Sequence, residues 1–316
     1  MAWVGVVVGV AAPLVRRRLR LPAPVVLGTA AAAPVALCVA RPRTPARDVL
    51  TCVLQMWAYL TAYQMPNDDP ESLRRRVRID YPVACDRVLG LGEPPTLRLQ
   101  RWLATPGRIG AFDKPLVWAH WMWFAVPHSA MAYLLWRRRE LFPRAAAQMY
   151  AVFDLGVIFY WVLPTAPPWY AAELGRIDGR ARERQRLMRE YGEGGDAPVA
   201  RRMMAEYGEE FWKGRWQPLY SVLGGNPLAA MPSLHFATSV MAGHLLTEAG
   251  PVEGAVCWGY ALTLGLALVY LGEHYLADLL AGLALAELVR RGADRAAPVA
   301  VAVSRAVQRL EAAARA

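Results

Sequence analysis

Cysteine is scarce in this sequence. Four occur in 316 residues, Cys38, Cys52, Cys85 and Cys257, with no CxxC spacing, and three of them lie inside apolar blocks. That argues against a disulfide framework and against a cysteine-ligated zinc site. Histidine numbers only five residues, with no H-E-x-x-H pair and no third histidine at ligand spacing. No metal and no cofactor is therefore expected. No nucleic-acid-binding motif is present either, so the net charge of +10 reads more simply as basic loops against anionic lipid headgroups. A cleaved secretory leader is not expected, because the apolar "MAWVGVVVGVAAPLV" precedes the basic "RRRLR", the reverse of leader order. Internal repeats and low-complexity tracts are also missing.

What the chain has in quantity is apolar sequence. It is 55% hydrophobic with 12 Trp and 24 Pro, and its mean hydropathy is +0.19 even though 20% of residues are charged. Long apolar blocks alternate with short arginine clusters, the layout of an all-α polytopic membrane protein. Segments approaching the ~20 residues that cross a bilayer are Leu21 to Ala40, Val49 to Met65, Pro115 to Trp136, Ala145 to Leu163, Leu228 to Leu246, Val252 to Leu271 and the shorter Tyr275 to Val289. Placing "RPRTPAR", "RRRELFPR" and "RRGADR" in the cytoplasm leaves 66–114 and 164–227 outside and 137–144 and 247–251 inside. The expected organisation is an N-terminal membrane part with a basic loop over 1–47, a catalytic transmembrane domain over 48–291, and a cytoplasmic tail over 292–316. "RRRLR" breaks the charge pattern: it falls outside if both Met1 to Val15 and Leu21 to Ala40 span, so one of the two is expected to lie in the interface or re-enter. The outer stretch "YPVACDRVLGLGEPPTLRLQRWLATPGRIGAFDKP" reads as interfacial helix. The mixed-charge "GRIDGRARERQRLMREYGEGG" reads as a solvated helix face, with a headgroup-binding lid as the alternative.

The five histidines, His120, His128, His235, His244 and His274, all lie in or beside apolar segments, where ionisable groups are costly. In "YLGEHYLADLLAG", His274 and Asp278 stand four apart and share a helix face. A carboxylate there can fix the imidazole tautomer and leave the other nitrogen as a nucleophile or base, although a plain polar contact at a helix end fits the spacing equally well. In "NPLAAMPSLHF", Pro232 and Ser233 mark a helix start or kink just before His235, where backbone N–H groups can bind an anion. The two histidines are 39 residues apart, about 58 Å of helix, or two crossings of a ~30 Å core. A down-and-back hairpin turning at "TEAGPVEG" returns both to the outer face, where one can attack a phosphorus while the other protonates the leaving oxygen.

"PSLH" and "GEHYLAD" resemble the second and third motifs of the type-2 phosphatidic acid phosphatase superfamily, specifically its inositol phosphorylceramide synthase-like branch. "LPTAPPW" looks like that branch's first motif, and "LGEPPTLRLQRWL" is similar to its bacterial members, so the resemblance covers roughly residues 50 to 290. It implies a six-helix transmembrane core beside one or two extra N-terminal segments and interfacial outer helices. It further implies His274 as the nucleophile forming a phosphohistidine, His235 as the acid, Asp278 as the residue orienting His274, and no metal.

The chain also departs from the lipid phosphatases. Leu268 stands where they place an arginine, and the Lys and Arg-Pro of their first motif are missing from "YWVLPTAPPWY". Lys114, Lys213 and Arg215 are then candidate phosphate-holding cations with Ser233 as a hydrogen-bond donor, set against ordinary interface anchoring. Asp154, mid-helix in "MYAVFDLGVIFYW", and His120 in "WAHWMWF" are candidates to line the cavity, with structural polar contacts and aromatic packing as alternatives. His128 has no assigned partner, and His244, about 180° around the helix from His235, points away. The expected substrate is a phospholipid or polyprenyl phosphate in the bilayer, with a small alcohol or polyol as acceptor, at the extracytoplasmic face of a bacterial plasma membrane. Hydrolysis by the same residues is the alternative reaction. A transporter with a His/Asp proton relay is the alternative from another class.

Overall fold

The structure is a computed structural model that describes residues 2–105, 108–177, 200–216 and 225–314. Among these residues the chain is helical and forms no strand; two isolated parallel bridges join Arg78 to Thr165 and Thr165 to Ala229. The helices are α1 (Ala2–Leu19), α2 (Ala23–Ala40), α3 (Pro45–Gln64), α4 (Pro70–Arg76), α5 (Asp80–Leu89), α6 (Pro95–Leu103), α7 (Asp113–Met122), α8 (Val126–Arg137) and α9 (Phe142–Val162). They continue with α10 (Pro168–Glu173), α11 (Met203–Trp212), α12 (Leu234–Ala249), α13 (Pro251–Tyr270) and α14 (Leu276–Ala313).

Three of them, Ala23–Ala40, Phe142–Val162 and Pro251–Tyr270, are long and apolar enough to cross a membrane. The other expected spans differ for local reasons. Pro115 to Trp136 is broken into α7 and α8, because Trp123, Phe124 and Ala125 bond carbonyls three residues back and Pro127 brings no N–H to the first turn of α8. Helix α12 begins at Leu234, with Ser233 as its N-cap, instead of at residue 228; its 16 residues reach about 24 Å. Helix α14 runs unbroken past residue 291 to Ala313, with Pro298 inside it. Part of the outer charged segment, including most of "GRIDGRARERQRLMREYGEGG", lies outside the described residues.

The main core lies where α9, α12 and α14 meet, with Met149, Phe153, Val157, Tyr160, Leu234, Met241 and Leu285 buried together. Close approach depends on small residues: a Cβ on Gly156 of α9 would come within 2.3 Å of the Leu234 side chain, and one on Gly282 of α14 within 2.5 Å of the Ser233 carbonyl. At one end of this bundle Arg144 faces Glu248 at 3.7 Å, Arg139 faces Asp48 at 3.8 Å, and Tyr133 donates to Glu253 at 2.6 Å. The starts of α12 and α14, and with them His235 and His274, lie at the other end.

Helices α1 and α2 pack as an antiparallel hairpin on α3, so neither lies apart from the bundle. The basic cluster between them reaches the histidine end: Arg16 and Arg17 each bond Asp68 at 2.7 Å. Asp68 follows the end of α3, where Tyr63 and Asn67 donate to the carbonyls of Asn226 and Gly225 at 3.1 and 3.0 Å. Burial pulls the Asp68 carboxyl up, but the two guanidinium groups outweigh it and hold it below the usual carboxylate range.

Candidate active site

The turn before α14 is fixed by its own backbone. Glu273 and His274 both donate to the Leu268 carbonyl, at 3.1 and 3.0 Å, and Gly272 takes φ +79°, the left-handed region that glycine enters freely. The first N–H groups of α14 have no partner within the helix and find carboxylates instead. Asp86 of α5 accepts from Leu276 and Ala277 at 3.1 and 2.9 Å. Asp278, at the third helical position, reaches back to the Tyr275 N–H at 2.9 Å, half of a capping box. The same Oδ2 lies 3.3 Å from His274 Nδ1, with both side chains buried.

The start of α12 is joined directly to this turn. Ser233 donates its N–H to the Asp278 carbonyl at 3.0 Å, and its Oγ accepts the Phe236 N–H at 3.3 Å. Tyr160 of α9 donates to the Pro232 carbonyl at 2.8 Å, beside the cis Met231–Pro232 bond. His235 Nδ1 then lies 3.1 Å from His274 Nε2. Two α7-side rings flank it: His120 at 4.9 Å and Trp123 at 4.2 Å between centroids. Trp123 is held by its Nε1–H donating to Thr238 at 2.9 Å, while the buried His120 Nδ1 has no hydrogen-bond partner.

An ionised carboxylate only accepts, so His274 carries its proton on Nδ1 toward Asp278. Its Nε2 then presents a lone pair, and His235 Nδ1–H is the donor across the 3.1 Å contact. The row Asp278, His274, His235 therefore ends in a nucleophilic nitrogen beside a proton-bearing one. Among the described residues, no group of three His, Cys, Asp or Glu side chains is arranged to hold a metal ion.

The "LPTAPPW" segment is hydrogen-bonded to the stretches that precede both histidines. Thr165 accepts at its carbonyl from Ala230 at 3.1 Å, and its hydroxyl pairs with Tyr81 at 2.7 Å. Trp169 donates its N–H to the Gly272 carbonyl at 3.1 Å. Over the Trp169 ring, at 3.7 Å, sits the Arg202 guanidinium, whose Nε is also 3.7 Å from Glu273.

The other candidates are spread more widely. Ser233 stays at the histidines as the cap of α12. Lys114 stands 5.6 Å over the Tyr207 ring; Lys213 and Arg215 are exposed just after α11. No hydrogen bond or ion pair joins these three to the histidine pair. Asp154 accepts from Gln55 at 2.8 Å and lines a cavity of about 570 Å³ with Cys38, Arg47 and Asp48, near the opposite end. His128 lines a separate apolar cavity of about 410 Å³, and His244 pairs with Glu287 at 2.7 Å. Asp86 and Arg202 carry no motif that marks them, whereas Trp123 and Glu273 lie inside "WAHWMWF" and "GEHYLAD" without having been singled out.

A scan of protein-family models matches residues 83–290, well over half of the chain, to the PAP2 superfamily. A search of curated proteins and a search of solved structures each returned no match. The chain belongs to the PAP2 superfamily.

Proposed function

We propose that this PAP2 superfamily protein is a membrane-embedded phosphotransferase acting on a lipid-linked phosphate or phosphodiester at the outer leaflet. Its core would be six membrane-crossing units: α3, α7 with α8, α9, α12, α13 and α14. The observation that carries the reading is the 3.1 Å approach of His235 Nδ1 to His274 Nε2 with Asp278 behind it. His274 Nε2 attacks the phosphorus while the bond to the leaving oxygen breaks, and protonated His235 gives that oxygen its proton. The imidazolium that develops on phosphorylated His274 is stabilised by Asp278. An acceptor alcohol then loses its proton to His235 and attacks the phosphohistidine, returning His274 to its starting state. Head-group transfer, of inositol phosphate type, is favoured over hydrolysis because Leu268 replaces the arginine of the hydrolases and is fully buried. Water at the same phosphoenzyme would give the hydrolytic reaction.

The test is purified protein in detergent with labelled phospholipids and polyprenyl phosphates, with and without inositol or glycerol. A phosphorylated acceptor and an acid-labile phosphohistidine are expected from wild type, both lost in His274→Ala. Full turnover by His274→Ala, or no phosphorus-containing product from any lipid, would end this reading; free phosphate without phosphorylated acceptor would select hydrolysis.

A further inference from the structure

His235 must carry a positive charge before the reaction begins, because it brings the proton that the leaving oxygen takes. Its position works against that charge. It is the second residue of α12, at the helix end where the backbone dipole disfavours a cation. Asp278 does not answer it, since its Oδ2 is engaged by His274 Nδ1 and by the Tyr275 N–H, at the other nitrogen of the His274 ring. Among the described residues, no hydrogen bond or ion pair joins His235 to a carboxylate.

What His235 does face is aromatic. The Trp123 and His235 ring centroids are 4.2 Å apart with their planes tilted by 48°, inside the ~6 Å within which an indole face attracts a cation. The His120 ring stands 4.9 Å from His235 at 33°. A charged His120 would leave a buried N–H without an acceptor at Nδ1, so His120 is neutral and does not compete for the charge. Trp123 is fixed from several sides. Its Nε1–H donates to Thr238 Oγ1 at 2.9 Å; the Thr238 hydroxyl gives its own proton to the Leu234 carbonyl at 2.7 Å, which leaves that oxygen free to accept from the indole. The Trp123 backbone N–H donates to the His120 carbonyl at 3.1 Å, and the ring packs on Phe153 and on the cluster that holds Leu268. Packing alone would be served by leucine or phenylalanine. The indole N–H and its threonine add a fixed orientation beside His235.

We infer that Trp123 is a positioning residue whose indole face holds His235 as an imidazolium, and that it thereby sets the strength of the acid that protonates the leaving group. This rests on the phosphotransfer reading above. In the first step His274 Nε2 forms its bond to phosphorus, the bond to the leaving oxygen breaks with its electron pair on that oxygen, and the His235 proton passes to it, leaving His235 neutral. In the second step the proton of the acceptor alcohol restores the imidazolium against the same ring, so Trp123 assists both.

The experiment uses full-length wild type, Trp123→Leu, Trp123→Phe and Thr238→Val in detergent, and measures single-turnover phosphorylation of His274. The donors are labelled phosphatidylinositol and polyprenyl phosphate, each beside an analogue with sulfur in place of the leaving oxygen. An alkoxide needs a proton to leave, whereas a thiolate does not. Trp123→Leu is expected to slow the oxygen donors about tenfold and the sulfur donors by no more than about twofold. Trp123→Phe is expected to recover part of the loss, and Thr238→Val, which frees the indole, to show the same contrast more weakly. The inference is overturned if Trp123→Leu slows oxygen and sulfur donors equally, as a residue that only packs the site would, or slows neither. The Trp123→Phe and Thr238→Val contrasts decide the matter if Trp123→Leu does not fold. Equal slowing with a phosphohistidine still formed removes Trp123 from its role and leaves the proposed reaction standing. No phosphohistidine in wild type from any of the donors would overturn the reaction, and this inference with it.

Discussion

Asp278 has two tasks at the scale of single residues: it caps α14 through the Tyr275 N–H and orients the His274 ring. Asp278→Asn keeps the size and the capping oxygen but removes the charge facing the imidazolium. We expect kcat to fall by about 10²–10⁴-fold while stability changes by about 1 kcal/mol, read from single-turnover rates beside melting curves. Asp86 is the clearer pH probe. Burial pushes its carboxyl up to about 6, only partly offset by the N–H groups of Ala277 and Leu276. A carboxyl whose folded pKa lies above its unfolded value binds more protons when folded, so its contribution to stability falls as pH rises between about 4 and 6. Wild type should therefore lose stability relative to Asp86→Asn from pH 4 to pH 7; an unchanged gap in melting temperature would contradict the assignment. The two histidines and Asp278 were legible in the sequence because their relation is short-range or set by the length of one helical hairpin. Asp86 and Arg202 were not, because their partners lie 190 and 71 residues away and such pairings leave no periodic trace.

Helix α12 depends on its neighbours for its position. Gly282 matters most, since a Cβ there would meet the Ser233 backbone, which cannot rotate aside as a side chain can. Gly282→Val is expected to cost about 1–3 kcal/mol and to lower kcat further than stability alone explains, because it pushes the start of α12 away from α14. Gly156→Val meets only the movable Leu234 side chain and should retain more activity at similar stability loss. Thermal melts paired with kcat would separate the two. Apolar length made α2, α9 and α13 readable in advance, whereas the α7–α8 break was hidden inside one apolar run. That break turns the Trp123 indole toward His235, a consequence of Pro127 that hydropathy does not register. Helix α14 was read as short because its charged second half is not membrane-like; Pro298 does not end it.

The whole molecule separates a histidine end, covered by α4, α5 and α6, from an end where Arg139, Arg144 and Arg47 meet acidic partners. If the histidine end faces out, exposed Cys85 of α5 should react with a membrane-impermeant maleimide added to intact cells, while buried Cys257 stays unlabelled. Labelling of Cys85 only after the cells are opened would invert the orientation. The charge rule puts the arginine clusters from Arg41 onward on one side and is at odds with "RRRLR" if both first segments span, because it counts charges without their partners. Asp68 supplies the missing partner, and it has a consequence for how the chain is made. Arg16 and Arg17 leave the ribosome some fifty residues before the carboxylate that neutralises them, so the first hairpin is made with two charges whose partner has yet to emerge. If the histidine end faces out, nascent chains from which residue 68 has not yet emerged are expected to keep that basic turn in the cytoplasm and longer ones to display it outside, which cysteine accessibility at the turn would read.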